Sequence, residues 1–106
     1  MRLIAFIISI TILSVNAYAY TITSHGKITQ LHFWQTHTGV LFIHENMINP
    51  DSCTRPDQYI LKQDHPFFKE LYSLFLAAHM ADQPVRVGIS GCHEGFPSIA
   101  HAYSNK

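Results

Sequence analysis

Charge is scarce in this chain and neither sign prevails, since seven Lys and Arg balance seven Asp and Glu. Beyond the first residues the cations are scattered at Lys27, Arg55, Lys62, Lys69, Arg86 and Lys106. Nucleic-acid binding needs a basic face that displaces counterions from phosphates, and none is offered. Cysteine occurs only as Cys53 and Cys92. With no Cys-x-x-Cys spacing, a zinc site and a thioredoxin-like redox pair are poorly supported. No Gly-x-Ser-x-Gly elbow, internal repeat or low-complexity segment occurs. Apart from the first residues, no apolar run is long enough to span a bilayer.

The N-terminus is different. Met1-Arg2 is followed by an almost unbroken apolar run over 3–15, then by Ala17-Tyr18-Ala19. A short positive start, an apolar stretch below roughly 20 residues and small residues at the cleavage positions predict a signal peptide over 1–19. The mature chain, 20–106, is then a single exported domain, periplasmic or secreted, which does not span a membrane after cleavage. So small a domain buries only about 60–65% of its unfolded surface, which favours a covalent staple. In an exported chain the two cysteines have one pairing, Cys53–Cys92. Closing that loop contributes about 4 kcal/mol in the chain-entropy model.

Strands are predicted from β-branched and aromatic residues over 27–34 and 40–44, joined by a turn in which Gly39 suits a positive φ. Thr21-Ile22-Thr23 is β-prone as well. Turn residues fill 45–56, and Gln58-Tyr59-Ile60-Leu61 reads as a third strand. A single helix is expected over 64–84, capped by Asp64, with Pro66 in its first turn and Pro84 as its stop. Phe67, Phe68, Leu71, Leu74, Phe75 and Ala78 form its apolar face. Val85, Val87 and Ile89 alternate with Arg86 and Gly88 in a fourth strand that Ser90-Gly91-Cys92 ends. A loop follows over 93–97 and a fifth strand over 98–103. The expected fold is mostly β with one helix, in the order β-β-β-α-β-β of a five-stranded OB-like barrel.

Gly26-Lys27-Ile28, Gly39-Val40, Cys53 with Tyr59 and Leu61, Leu71-Tyr72-Ser73, Leu76-Ala77-Ala78, Val85, Val87 and Gly91-Cys92 carry a resemblance to small exported bacterial proteins with OB-like folds. The resemblance covers most of the mature chain and implies core positions and a disulfide, but no catalytic residues. More distantly, in strand–helix order alone, the chain is similar to the glycan-binding B subunits of pentameric bacterial toxins.

The eight histidines are the least ordinary part of the composition, and below about pH 6.5 they add positive charge. With a turn centred near Thr38, His32 faces His44 and Trp34 faces Phe42. Two facing imidazoles can bind zinc or copper, with His25 or His37 as a third ligand. The same four residues, His32, Trp34, Phe42 and His44, offer a stacking surface for sugars or other flat groups. They equally suit core packing, a subunit interface or hydrogen-bonded histidines on a sheet face. His93 and Glu94 could serve as a base and its orienter, but neighbours in a loop are expected to point apart. These readings together predict a non-enzymatic binding module without a cofactor. Its surface is either that four-residue face or the loops 46–57 and 93–97, and its ligand is a protein or a glycan. The alternatives are a glycan-binding, toxin-B-like homo-oligomer and a histidine-based periplasmic metal binder.

Overall fold

A computed structural model of the chain describes residues 20–104, so the expected signal peptide lies outside the described residues. The elements are β1 (Thr21–Ile22), β2 (Gly26–His32), β3 (Gly39–His44), β4 (Tyr59–Lys62), α1 (Phe68–Met80), β5 (Pro84–His93) and β6 (Phe96–Tyr103). They form a mostly β fold with one helix. The sheet order is β1-β5-β2-β3-β4-β6, and pairing of β5 with β6 closes a ring of five strands. The pairings are antiparallel except that of β4 with β6, which meet at Ile60 and Ser98. The β-β-β-α-β-β order is therefore present, preceded by the short β1.

β1 and β2 are successive parts of one run along β5: Thr21 and Ile22 lie opposite Ile89 and Gly88, and Gly26 lies opposite Val85. Thr23 spans the break. Its N–H donates to the Val87 carbonyl at 2.9 Å, and its hydroxyl accepts the Val87 N–H at 3.0 Å. A buried threonine thus supplies the hydrogen bonds that an interrupted strand would otherwise leave unmade.

The interior is filled by Ile28, Val40, Phe42, Tyr59, Leu61, Val85, Val87, Ile89 and Ile99 from the strands, closed by Leu71, Phe75 and Ala78 of α1. Phe75 meets Phe42 edge-on at 4.8 Å, a contact that adds about 1 kcal/mol beyond area burial. A second, smaller cluster of Leu41, Ile60 and Phe96 lies apart from this interior. Tyr59, Ile60 and Leu61 are therefore all fully buried, which is why β4 reads as an apolar run and not as an alternation.

The helix is shorter than expected. Residues 64–67 form turns, and Asp64 makes no cap. No side chain caps the helix; His65 braces the turn ahead of it, its Nδ1 accepting the Phe67 N–H at 2.9 Å while its Nε2 donates to the Ala100 carbonyl at 2.7 Å. Phe67 consequently precedes the helix and stays 61% exposed. The C-terminus is closed before Pro84. Asp82 takes a positive φ, and the Gln83 N–H donates back to the Ala78 carbonyl at 2.9 Å. Pro84 opens β5.

The last hairpin also differs from expectation, because residues 93–97 are not a loop. Glu94 and Gly95 have φ of 52° and 86°, and Cys92 and His93 pair with Pro97 and Phe96. Two positive-φ residues match the right-handed twist of the flanking strands, so β5 and β6 run almost to the tip. Gly39 departs from its expected role too. It belongs to β3, and a Cβ there would collide with the Leu61 carbonyl of β4, so glycine is required for close approach.

Cys53 and Cys92 are disulfide-bonded, with Cα atoms 5.7 Å apart. The bond ties the 45–58 segment to β5. That segment is held further by Asn49, whose side chain brackets the Cys53 N–H and carbonyl at 2.8 and 3.0 Å. Inside it, the Tyr59 hydroxyl accepts the Ile48 N–H at 2.7 Å and donates to the Asn46 carbonyl at 3.0 Å. Burial raises the pKa of this phenol above its ordinary value, against the pull of the Ile48 hydrogen bond, so it stays neutral.

Candidate functional site

The expected four-residue face is not assembled. β2 carries a bulge between Ile28 and Gln30, and beyond it Leu31 pairs with Phe42 and His32 with Leu41, while His44 lies opposite Ile28. One extra residue and a six-residue connection over 33–38 move the register away from the expected His32–His44 pairing. Phe42 is fully buried against Phe75. His44 is buried with both ring nitrogens engaged: Nε2 donates to the Val85 carbonyl at 2.9 Å, and Nδ1 accepts the Asn46 N–H at 3.0 Å. No lone pair is left for a metal on that ring, so the two-histidine metal site is corrected to a hydrogen-bonded interior histidine. His32 stays near the surface with its Nδ1 buried and unpartnered. Among the described residues no group of three or more His, Cys, Asp or Glu is placed to hold a metal ion.

His79 repeats this structural use, donating from Nδ1 to the Ile28 carbonyl at 2.7 Å beside the bulge. His44, His65 and His79 thus each fasten a backbone carbonyl on another element.

Trp34 is the one member of the expected set that reaches a usable surface. It is 41% exposed, in the 33–38 connection, next to Phe33 at 63%. Its indole stacks on His37 at 5.4 Å and 27°, and His37 meets the buried Phe96 edge-on at 5.2 Å. Arg55 arrives from the clamped segment, its guanidinium carbon 4.6 Å from the Phe96 ring centre and 5.8 Å from that of Trp34. The Arg55 N–H also donates to the Gly95 carbonyl at 2.8 Å. The small Leu41–Ile60–Phe96 cluster is therefore the floor on which this arrangement rests.

Beside Trp34 opens a groove of about 460 Å³, bordered by Phe33, Gln35, His37, Val40, Gln63 and Phe68. That volume is in the range of small-molecule sites, and the lining is mainly apolar with a few polar groups. None of the lining residues is Asp, Glu, Lys or Arg. Among the described residues, no hydrogen bond engages the Trp34 indole N–H or the side-chain amides of Gln35 and Gln63. A second depression along Pro66, Lys69 and Glu70 shares Gln63 and Phe68 with the first.

Behind the groove, four polar residues converge. Glu94 accepts the Thr38 N–H at 2.7 Å and the Thr38 hydroxyl at 2.5 Å on one oxygen, and His37 Nδ1–H at 2.8 Å on the other. His93 donates from Nε2 to the Thr38 hydroxyl at 2.7 Å and lies 3.1 Å from Glu94. The Thr38 hydroxyl, Thr38 N–H and His37 hydrogen bonds, in that order, lower the Glu94 pKa to about 2. His93 and Glu94, expected to point apart, instead meet on Thr38. The left-handed turn aims both at one residue across the ring, a geometry that only the Glu94-Gly95 pair could have signalled in the sequence.

Comparison of the chain with protein-family models, with curated proteins and with solved structures finds no match.

Proposed function

We propose that this chain is an exported binding module that recognises a ligand through the preformed groove beside Trp34 and performs no chemistry on it. The observation that carries the reading is the exposed Trp34 indole, backed by His37 and bordered by the unpaired amides of Gln35 and Gln63. Exposed aromatic area joined to a few free hydrogen-bonding groups is the usual make-up of a recognition site. The signal-like N-terminus and the disulfide support an oxidising compartment, periplasmic or extracellular. Trp34 is the sole tryptophan, so its emission reports the groove directly. Screening a mixed library of sugars and peptides by Trp34 emission should yield a saturable ligand that Trp34→Ala abolishes. Binding unchanged by Trp34→Ala would move the site elsewhere.

A second reading, a glycan-binding subunit of a homo-oligomer, is favoured by the same pairing of an aromatic face with amides. Sugars present apolar C–H faces and neutral hydroxyls, and the groove lining is uncharged. A glycan array together with the mass in solution tests it, and a monomer that binds no glycan argues against it.

A further inference from the structure

We infer that Glu94 is the positioning residue of the groove: from the tip of the β5–β6 hairpin it holds the 33–38 connection, and with it the Trp34 wall, in place before a ligand arrives. The inference rests on the reading of the groove as a binding site, but its test needs no ligand.

The 33–38 connection has few means of its own to stay ordered. Residues 33–36 are exposed, and its internal backbone bond runs from the His37 N–H to the Trp34 carbonyl at 3.2 Å. At its end the Gln63 N–H donates to the Thr38 carbonyl at 3.1 Å. The remaining polar anchors are the three hydrogen bonds gathered by Glu94 and the one from His93 Nε2 to the Thr38 hydroxyl. They act on Trp34 indirectly: Glu94 fixes the His37 ring, and the indole stacks on that ring.

The backbone at Glu94 points the same way from a different direction. Its φ of 52° opens a two-residue turn whose first position normally takes Asn, Asp or Gly. A glutamate there is disfavoured by turn chemistry, so its side chain accounts for its presence. The titratable groups around it are His37 from the connection and His93 on β5. Arg55, from the clamped segment, lies over Phe96 and pairs with Asp57 at 3.3 Å.

Two variants separate positioning from folding. Glu94→Gly relieves the positive φ and removes the carboxylate, so a loss it causes cannot come from strain in the turn. Glu94→Gln keeps an acceptor for Thr38 without the charge. In ¹⁵N-labelled, disulfide-bonded protein, Glu94→Gly should speed exchange of the Thr38 amide by about tenfold to a hundredfold, the worth of a hydrogen bond to a charged acceptor. Exchange at Val87 in the interior should not change, and acrylamide quenching of Trp34 should rise. Glu94→Gln should fall between the two. The wild-type Thr38 amide shift should titrate with a midpoint of about 2, and that transition should vanish in Glu94→Gln. Equal Thr38 exchange in wild type and Glu94→Gly overturns the inference, as does loss of protection at Val87 in parallel. If no ligand is ever found for the groove, these readouts still stand or fall by themselves.

Discussion

Two stretches cross the outside of the strand ring, 33–38 and 45–58, and both dock on the same β5–β6 hairpin by different means. The longer one is bonded covalently through Cys53–Cys92, bracketed by Asn49, and tied by the Arg55 N–H to Gly95. The shorter one depends on ring stacking and on hydrogen bonds to the carboxylate of Glu94. The first attachment is covalent and vulnerable to reductant, with the Asp51 carboxylate adding a hydrogen bond from the Gly91 N–H at 2.7 Å, whereas the second has no covalent tie and answers to acid through Glu94. The hairpin thus carries two attached segments, one tied covalently and bringing Arg55 over Phe96, the other tied by hydrogen bonds and ring stacking and bringing Trp34. The difference is one of chemistry: the longer segment is tied by a bond that a reductant cuts, the shorter by a carboxylate that acid neutralises.

The comparison can be broken most forcefully at the covalent side. Cys53→Ser with Cys92→Ser should lower stability by about 2–5 kcal/mol in a urea titration, with loss of the folded state on warming. An unchanged midpoint would mean that Asn49 and Tyr59 hold the segment unaided. Next, His44→Ala should cost about 2–4 kcal/mol, because it leaves the Val85 carbonyl and the Asn46 N–H unpaired in the interior and opens a cavity. A cost near zero would show that water replaces the ring.

Acid addresses the hydrogen-bonded side. The Glu94 pKa is depressed in the folded state, so its stabilisation is fully present above about pH 4.5 and is lost as pH falls towards about 2. Thermal melts over that window should show a decline that Glu94→Gln lacks and that the serine variants keep. The smallest effect belongs to Trp34→Ala, which should alter stability by less than about 0.5 kcal/mol while removing ligand binding. A large destabilisation would place Trp34 in the support of the Leu41–Ile60–Phe96 cluster.

The parts of this molecule that were legible in sequence are those governed by local chemistry. Alternation at Val85, Val87 and Ile89, the periodic Leu71, Phe75 and Ala78, and the two cysteines each pointed to what the structure contains. What stayed illegible depends on relations between distant segments. The exact span of the 33–38 connection has no residue signature here, yet it sets His32 opposite Leu41, and the bulge in β2 then leaves His44 opposite Ile28. Phe67 fits a helical face by spacing, but the turn braced by His65 leaves it at the N-cap position, one residue before the helix, and exposed. Of the expected four-residue face only Trp34 reaches the groove, while Arg55, His93 and Glu94 lie in the two stretches, 46–57 and 93–97, expected as the alternative surface. The convergence of Thr38, His93 and Glu94 required both the left-handed turn and the ring closure that brings the two connections together.

Ring closure bears on how the chain reaches its native state. β5 pairs with β1, β2 and β6, so the strand that completes the ring comes after the helix and must find partners near the start of the chain, as when Ile89 meets Thr21. Such non-local pairing is entropically costly before it is rewarded, which favours folding over milliseconds to seconds. Cys92 sits on this late strand and Cys53 in the segment before the helix. An oxidant acting early therefore finds both thiols apart and exposed, and the error open to it is a bond between two chains, since one pair has no wrong partner within its own. The yield of oxidative refolding should accordingly fall as the protein concentration rises.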